Sequence, residues 1–535
     1  MSDPEDWPWL ARLALPDDPP PRALADARAM VELARSLPVQ FEASAPEQTS
    51  VLPEAVARKD RPVSDASLAE CLRRGAPALR RERLVVPPDR APSVRPLDPH
   101  ATTRSAVLAA SNGALVWPGE PEPTASGDTG PLAGMRVAVK DNLWVRGTPC
   151  TAGSRMLAGF VPPQDAEVWR RIRRAGGHMT GKTNLDAFGM GASGEHSAFG
   201  PTQNPRNPGW VPGGSSSGSA AAVAAGWADA ALGSDTGGSV RLPAAFCRLF
   251  GFKPSYGALS RRGLVAFASS LDVVGILTRT IEDALRLFEA TSGPDPNDLC
   301  TLNPPASRRG LMGRVVVLEP WVDGPGFGDV EAALSSMNAR VERRSAPTLQ
   351  YSEVAYRILS SAEAASNLAR YDGLRFGLRV DAESFDEMVV RTRQAGFGLE
   401  VQRRILSGTA AAAAGGRLVH RAEGVRTRLR RELLAALDGA DAIVAATTPV
   451  GPFAPESRLG DPQRLYEVDR YTIVASLAGL CALSVPLPPR QDSPAPAVQL
   501  IGAPGAERLI LELGARLERA GSLRDLTAPE PGTGT

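Results

Sequence analysis

The stretch LGSDTGGSVRLPAAF, residues 232 to 246, runs through a glycine-hinged turn onto Ser239. A serine hydroxyl is a weak nucleophile until a neighbouring group takes its proton, so Ser239 is a reacting group only if the chain supplies a base. Histidine is the usual one, but His100, His178, His196 and His420 lie in no stretch with the character of a catalytic loop. The G-x-S-x-G elbow of the α/β-hydrolases is absent as well, because Val240 and Arg241 follow the serine. Two other stretches offer a base. VPGGSSSGSAAAV, residues 211 to 223, is a Gly/Ser loop entering an Ala-rich helix, and VAVKDN puts Lys140 at the end of a buried strand. Desolvation disfavours the ammonium form of a lysine in a dry pocket, and a neutral lysine is a competent base. A relay from Lys140 through a loop serine to Ser239 then replaces histidine. The glycines before Ser239 let the N–H groups of Thr236, Gly237, Gly238 and Ser239 converge on an oxyanion, the strongest expected stabiliser of an acyl-transfer transition state.

These groups need a scaffold, and the chain is long enough to build one. With 535 residues, 43% of them hydrophobic, it exceeds one ordinary domain and carries enough apolar mass for a large core plus an appendage. From Gly134 onward strands and helices alternate: MRVAVKDNL reads as a short buried strand and EVWRRIRRAGG as a helix, a pattern that continues to about 525 and predicts an α/β domain around a largely buried sheet. Residues 1–92 read as short helices and extended pieces, with Leu24, Ala27, Met30, Val31, Ala34 and Leu37 on one helical face, and hold too little core to fold alone. The Pro/Gly-rich stretch 93–130 reads as a linker, 131–525 as the catalytic domain and 526–535 as a disordered tail.

Charge and cysteine content exclude several functions. Lys+Arg 60 against Asp+Glu 59 leaves a net charge of +1, so no global basic field draws the chain to nucleic acid. The five cysteines, Cys71, Cys150, Cys247, Cys300 and Cys481, form no CxxC pair or His-Cys cluster, which argues against a metal site or disulfide framework and suits a reducing cytoplasm. The acidic start, MSDPEDWPWLARLAL, lacks the layout of a signal peptide, and every Ala-rich stretch is interrupted short of membrane-spanning length. The expectation is a soluble, cytoplasmic protein with no membrane contact.

GGSSSGSAAAV followed by GSDTGGSVRLPAAF, with VKDN upstream, resembles the amidase signature family, whose members use a lysine, a serine on a cis peptide and a nucleophilic serine. The resemblance makes Ser239 the nucleophile, Ser215 the bridging serine and Lys140 the base. The intervals from 140 to 215 and from 215 to 239 also match the family's. It further implies a cis Gly214–Ser215 bond and a mixed sheet covered by helices on both faces. Ser217 stands where the family has glycine, so a requirement for positive φ there would strain the loop.

Within the family, GKTNLDAFGMGASGEHSAFGPTQNP, GLVAFASSLDVVGILTRTIEDAL, AEAASNLARYDGLRFG and GFGLEVQRRILSGT resemble the A subunits of the glutamyl-tRNA(Gln) or aspartyl-tRNA(Asn) amidotransferases. That resemblance implies a glutaminase in which Arg404 holds the α-carboxylate of glutamine, Asp469 its α-ammonium, and Tyr356 lines the pocket. It implies a partner, the B subunit, which carries ATP and Mg²⁺; it implies no cofactor or metal in this chain, and tRNA met only through the partner. LARLAL, the helix of 21–37 and PEQTSVLPEAVARKDRPVS are similar to the small C subunit, implying a natural C-A fusion. Ala187, Arg357, Val474, Ser476 and Cys481 depart from the commoner residues of these proteins. A free-standing amidase for another small amide is therefore the alternative expectation.

Overall fold

The computed structural model describes residues 111–118, 130–301, 310–413, 416–459, 461–489 and 496–520, together with Ala29 and Leu37. The tail 526–535 lies outside the described residues, as does the segment 1–92 apart from a helical Ala29 and a buried Leu37.

One eleven-stranded mixed sheet carries the structure, in the order β1-β3-β2-β4-β6-β5-β10-β11-β9-β7-β8. The strands are β1 (Leu115–Pro118), β2 (Arg136–Lys140), β3 (His178–Thr183), β4 (Ala230–Asp235), β5 (Phe250–Lys253), β6 (Val273–Thr278), β7 (Arg314–Leu318), β8 (Arg340–Arg344), β9 (Ala442–Ala446), β10 (Cys481–Pro486) and β11 (Ala497–Gly502). Edge strand β1 falls inside the stretch read as a linker. Its LVWP run follows a tight turn at Asn112–Gly113 and pairs antiparallel with β3, so Pro/Gly-rich flanks mask a strand too short to show periodicity.

Central strands β4, β6, β9, β10 and β11 are buried along their whole length, which explains their near-continuous apolar runs. Because side chains alternate across a strand, Ile443 joins one apolar cluster while Ala442, Val444 and Ala446 join the other. The first face is covered by α6 (Ser352–Asn367), α8 (Leu399–Ala413) and α9 (Arg417–Ala436), and the second by α1 (Glu167–Arg174), α4 (Ile281–Thr291), α5 (Phe327–Met337) and α12 (Glu507–Ala520). Among the described residues, the remaining α-helices are α2 (Ser217–Ala224), α3 (Arg241–Phe246), α7 (Phe385–Gly396), α10 (Pro462–Glu467) and α11 (Thr472–Leu477).

Two features position the site. Strands β2 and β4 are parallel neighbours, with Val139 opposite Leu232, so the chain leaves both at the same end of the sheet. Helix α2, SGSAAAVA, is buried on every side, which only small residues permit. A Cβ on Gly218 would stand 2.3 Å from the carbonyl oxygen of Ala114.

Candidate active site

Lys140 is the last residue of β2 and is fully enclosed. Its Nζ lies 2.8 Å from Ser215 Oγ, 2.9 Å from Ser216 Oγ and 2.9 Å from Ser234 Oγ. Removal from solvent pushes the lysine down to about 7, against the pull of Asp186, Asp235 and Asp272 in the other direction. The surrounding hydrogen bonds assign a direction to its lone pair. Ser216 Oγ donates its proton to the Ser234 carbonyl at 3.2 Å, so it can only accept from the lysine. Ser234 Oγ accepts from Asn142 Nδ2 at 2.9 Å and has a second lone pair for Nζ. A neutral amine has two hydrogens, which Ser216 Oγ and Ser234, through its hydroxyl or its carbonyl at 3.4 Å, can accept. The lone pair is left for Ser215.

Ser215 follows Gly214 through a cis peptide bond, as the resemblance implies. Asp186 supports that peptide. Its own N–H donates to the Ser215 carbonyl at 3.2 Å, while its carboxylate accepts from Gly194 N at 3.1 Å and His196 N at 2.9 Å. A Cβ on Gly214 would fall 2.0 Å from Asp186 Oδ2, so glycine is required for the loop to close on the carboxylate. Ser217 is the first residue of α2 and has an ordinary negative φ, so the expected strain is absent. Its hydroxyl lies 3.1 Å from that of Thr202.

The second serine loop is tied to the first by a backbone hydrogen bond, Ser216 N to Ser239 O at 3.1 Å. Ser239 sits at the end of the turn joining β4 to α3 and is 8% exposed. The buried Asp235–Arg241 pair braces this turn: Arg241 meets both carboxylate oxygens, at 2.8 and 3.0 Å, and the carboxylate also accepts from Val240 N. Arg241 continues to the Thr472 carbonyl, Gln499 Oε1 and Ser476 Oγ, so Ser476, one of the departures, is part of the brace. Thr236 Oγ1 donates to Asp272 Oδ1 at 2.7 Å, and Asp272, raised to about 6 by burial, also accepts from Phe267 N and Ala268 N. Gly237 and Gly238 are needed for close approach. A Cβ on Gly237 would stand 2.3 Å from the Tyr356 hydroxyl, and one on Gly238, whose φ is +141°, would stand 2.1 Å from Thr472 Oγ1.

Tyr356, on α6, therefore lies against the turn, and its phenol is pushed up by burial and by Asp469. Arg404, on α8, acts on the same phenol and on Asp469, so the three residues expected to bind substrate form one cluster. Arg404 donates to Glu400 at 2.8 Å and stacks 4.7 Å above the Tyr466 ring. Burial alone would lower its pKa, but Tyr466, Glu400 and Tyr356 outweigh burial and raise it, so the group stays cationic. Half-buried Asp469 is pushed up to about 7 by desolvation, with Arg404 and Arg357 pulling it down. Arg357, another departure, also stacks on Tyr466, 4.4 Å from the ring centre, and pairs with Glu353. Ala187, Val474 and Cys481 are buried.

Sequence reasoning missed Ser216, Ser234, Asn142 and Asp186. All four stand inside quoted motifs, yet residue type alone does not say which of several serines meets the lysine. Among the described residues, no group of three or more His, Cys, Asp and Glu side chains could hold a metal ion, and no helix is long and apolar enough to cross a membrane.

The family model described as amidase matches residues 100–511. The A subunit of the glutamyl-tRNA(Gln) amidotransferase of Natronomonas pharaonis is 44% identical over 414 residues, 74% of this chain and 97% of the relative. Among solved structures, the A subunit of the glutamyl-tRNA(Gln) amidotransferase from Thermotoga maritima matches with a TM-score of 0.66 and 37% identity, covering 78% of this chain and 90% of that one. The peptide amidase from Stenotrophomonas maltophilia matches with a TM-score of 0.64 and 28% identity, covering 79% of this chain and 92% of that one.

Proposed function

The chain belongs to the amidase family, and we propose that within it this protein is the glutaminase subunit of a tRNA-dependent amidotransferase. The observation that carries the chemistry is the enclosed contact of Lys140 Nζ with Ser215 Oγ, on a loop bonded to the backbone of Ser239. Ser239 attacks the side-chain carbonyl carbon of glutamine while its proton passes through Ser215 to neutral Lys140. The N–H groups of Thr236, Gly237, Gly238 and Ser239 take the charge that develops on the carbonyl oxygen. The proton returns to the departing nitrogen, ammonia leaves, and water hydrolyses the glutamyl ester to glutamate. Arg404 holds the α-carboxylate and Asp469 the α-ammonium, because a zwitterion buried without partners is costly; Tyr356 closes the wall between them and the turn.

Ammonia released here passes to a B subunit that activates the aminoacyl-tRNA with ATP and Mg²⁺, so neither ligand belongs to this chain and tRNA is met through the partner. The names of the relatives and the identity to them along the catalytic domain support this assignment. The N-terminal segment serves as a fused C subunit, whose tether raises its effective concentration. The assembly works in the cytoplasm, where charged tRNA is found.

The test is ammonia release from glutamine by the purified chain, with and without the B subunit plus Glu-tRNA, beside Ser239→Ala. Stimulation by partner and tRNA that the variant loses is the expected result. Cleavage of other amides with no turnover of glutamine under any condition overturns the amidotransferase assignment and leaves a free-standing amidase.

A further inference from the structure

The guanidinium of Arg404 is held by three contacts, none of them made by substrate. Its Nε donates to Glu400 Oε1 at 2.8 Å, and the ring centres of Tyr466 and Phe267 lie 4.7 and 5.7 Å from its central carbon. Tyr466 acts twice, because its hydroxyl also donates to Glu400 Oε1, at 2.9 Å. Among the described residues Arg404 has no other hydrogen-bond acceptor, so its two Nη groups keep their hydrogens for a ligand. Both rings trace back to the turn that carries Ser239. Tyr466 stands on α10, whose neighbouring Leu465 and Val468 are buried in one apolar cluster with Leu242 and Phe246 of α3, the helix that follows Ser239. Phe267 N donates to Asp272, which also accepts from Thr236.

We propose that Tyr466 and Glu400 are positioning residues that make the pocket select amides bearing an α-carboxylate; the inference rests on the reading of Arg404 as the partner of that carboxylate. With Nε engaged by Glu400, the guanidinium presents its Nη1–Nη2 edge, whose two N–H groups match the two oxygens of a carboxylate better than any neutral group. Arg403 and Arg404 share the single carboxylate of Glu400, so with Asp469 assigned to the α-ammonium one positive charge is left for an incoming anion. The face of the Tyr466 ring attracts the cation and fixes the plane of the fork. A side chain as long as arginine otherwise gives up rotamer freedom when it binds, and here the fold has already imposed that loss. Because Tyr466 and Phe267 are tied to α3 and to Thr236, the fork also stands at a set distance from Ser239, as an amide of one chain length requires.

The test is ammonia release from L-glutamine and from 4-aminobutanamide, which is glutamine without its carboxylate, by the full chain and its Tyr466→Leu and Tyr466→Phe variants. Tyr466→Leu removes ring and hydroxyl together, and KM for glutamine is expected to rise about tenfold, with a smaller change in kcat. Tyr466→Phe keeps the ring and loses one hydrogen bond to Glu400, so the rise is about threefold. The preference in kcat/KM for glutamine over 4-aminobutanamide falls by the same factors, a ratio that partial unfolding does not move because it scales both amides alike. An unchanged KM for glutamine in both variants, or an equal loss on the two amides, overturns the proposal. Turnover of 4-aminobutanamide without turnover of glutamine in the unmodified chain instead overturns the glutaminase reading, and the inference with it.

Discussion

Lys140 Nζ stands 2.8 Å from Ser215 Oγ in a pocket with no solvent access, and burial brings the lysine to about 7. A lysine serves as a base only when neutral, so kcat/KM for an uncharged amide rises with a slope of one as pH increases to about 7 and is level above it. Lys140→Met lowers kcat by roughly 10²–10⁴-fold, the usual contribution of a general base, and flattens the limb. A pH–rate profile of the two proteins checks both statements; a limb that persists in the variant assigns the titration elsewhere.

Ser234 Oγ meets the lysine at 2.9 Å, and Asn142 reaches it only through Ser234, donating to that hydroxyl at 2.9 Å. Ser234→Ala removes the acceptor that fixes one amine hydrogen, so the lone pair is no longer confined to Ser215. The expected result is a fall in kcat of roughly tenfold with KM unchanged, the pattern of an interaction felt only in the transition state. Steady-state kinetics decide it, and a rise in KM alone would contradict the assigned role.

The brace under the turn that carries Ser239 is a fully buried ion pair, Asp235 with Arg241. Asp235→Asn leaves the guanidinium enclosed without its counter-charge, so stability falls by about 3–5 kcal/mol. Thermal unfolding reads this directly as a drop in Tm. Ser476→Ala removes one neutral acceptor from the same guanidinium and costs about 1 kcal/mol.

How far these groups could be read from the sequence depended on how local their geometry is. Lys140 at a strand end and Ser239 after two glycines declare themselves, because strand patterning and turn chemistry are properties of a few adjacent residues. In GGSSSGS, by contrast, Ser215, Ser216 and Ser217 are chemically equivalent, yet the first two meet Lys140 while the third starts α2 and meets Thr202. Their division of roles comes from the path of the backbone over Asp186, which no pattern in the loop encodes. Arg404 shows the same limit. A basic residue in an amphipathic helix reads as a surface charge, and only the packing of Arg404 against Tyr466, with its pairing to Glu400 one turn away on α8, reveals a buried cation. Strand β1 was hidden because it is four residues long and is held by β3 rather than by its own propensity.

If Asp469 binds the α-ammonium as proposed, glutamine adds a second titration. Asp469, pushed up to about 7, loses its charge as pH falls through that value and with it the attraction for the α-ammonium. For glutamine, then, kcat/KM falls with a slope of two below about 7, one proton on Lys140 and one on Asp469. Asp469→Asn raises KM and returns the slope to one. A slope of one in the unmodified protein with glutamine would remove Asp469 from the binding site.

The turn before Ser239 makes a strict demand on residue size, because Gly237 faces the Tyr356 side chain closely. A Cβ there would lie 2.3 Å from the hydroxyl oxygen and 2.5 Å from the ring carbon that bears it, and the Tyr356 ring is buried. Gly237→Ala therefore shifts the turn and with it the N–H groups proposed to face the developing charge, and loss of one such donor costs roughly 10²–10³ in kcat. Tyr356→Phe in the same chain removes the oxygen but leaves the ring carbon, so it does not restore activity. The single Tyr356→Phe variant keeps its turn and loses only what the hydroxyl contributes to the pocket. Comparing kcat for the two single variants and the double separates the two effects: full rescue in the double variant would show that the hydroxyl, and not the ring, sets the position of the turn.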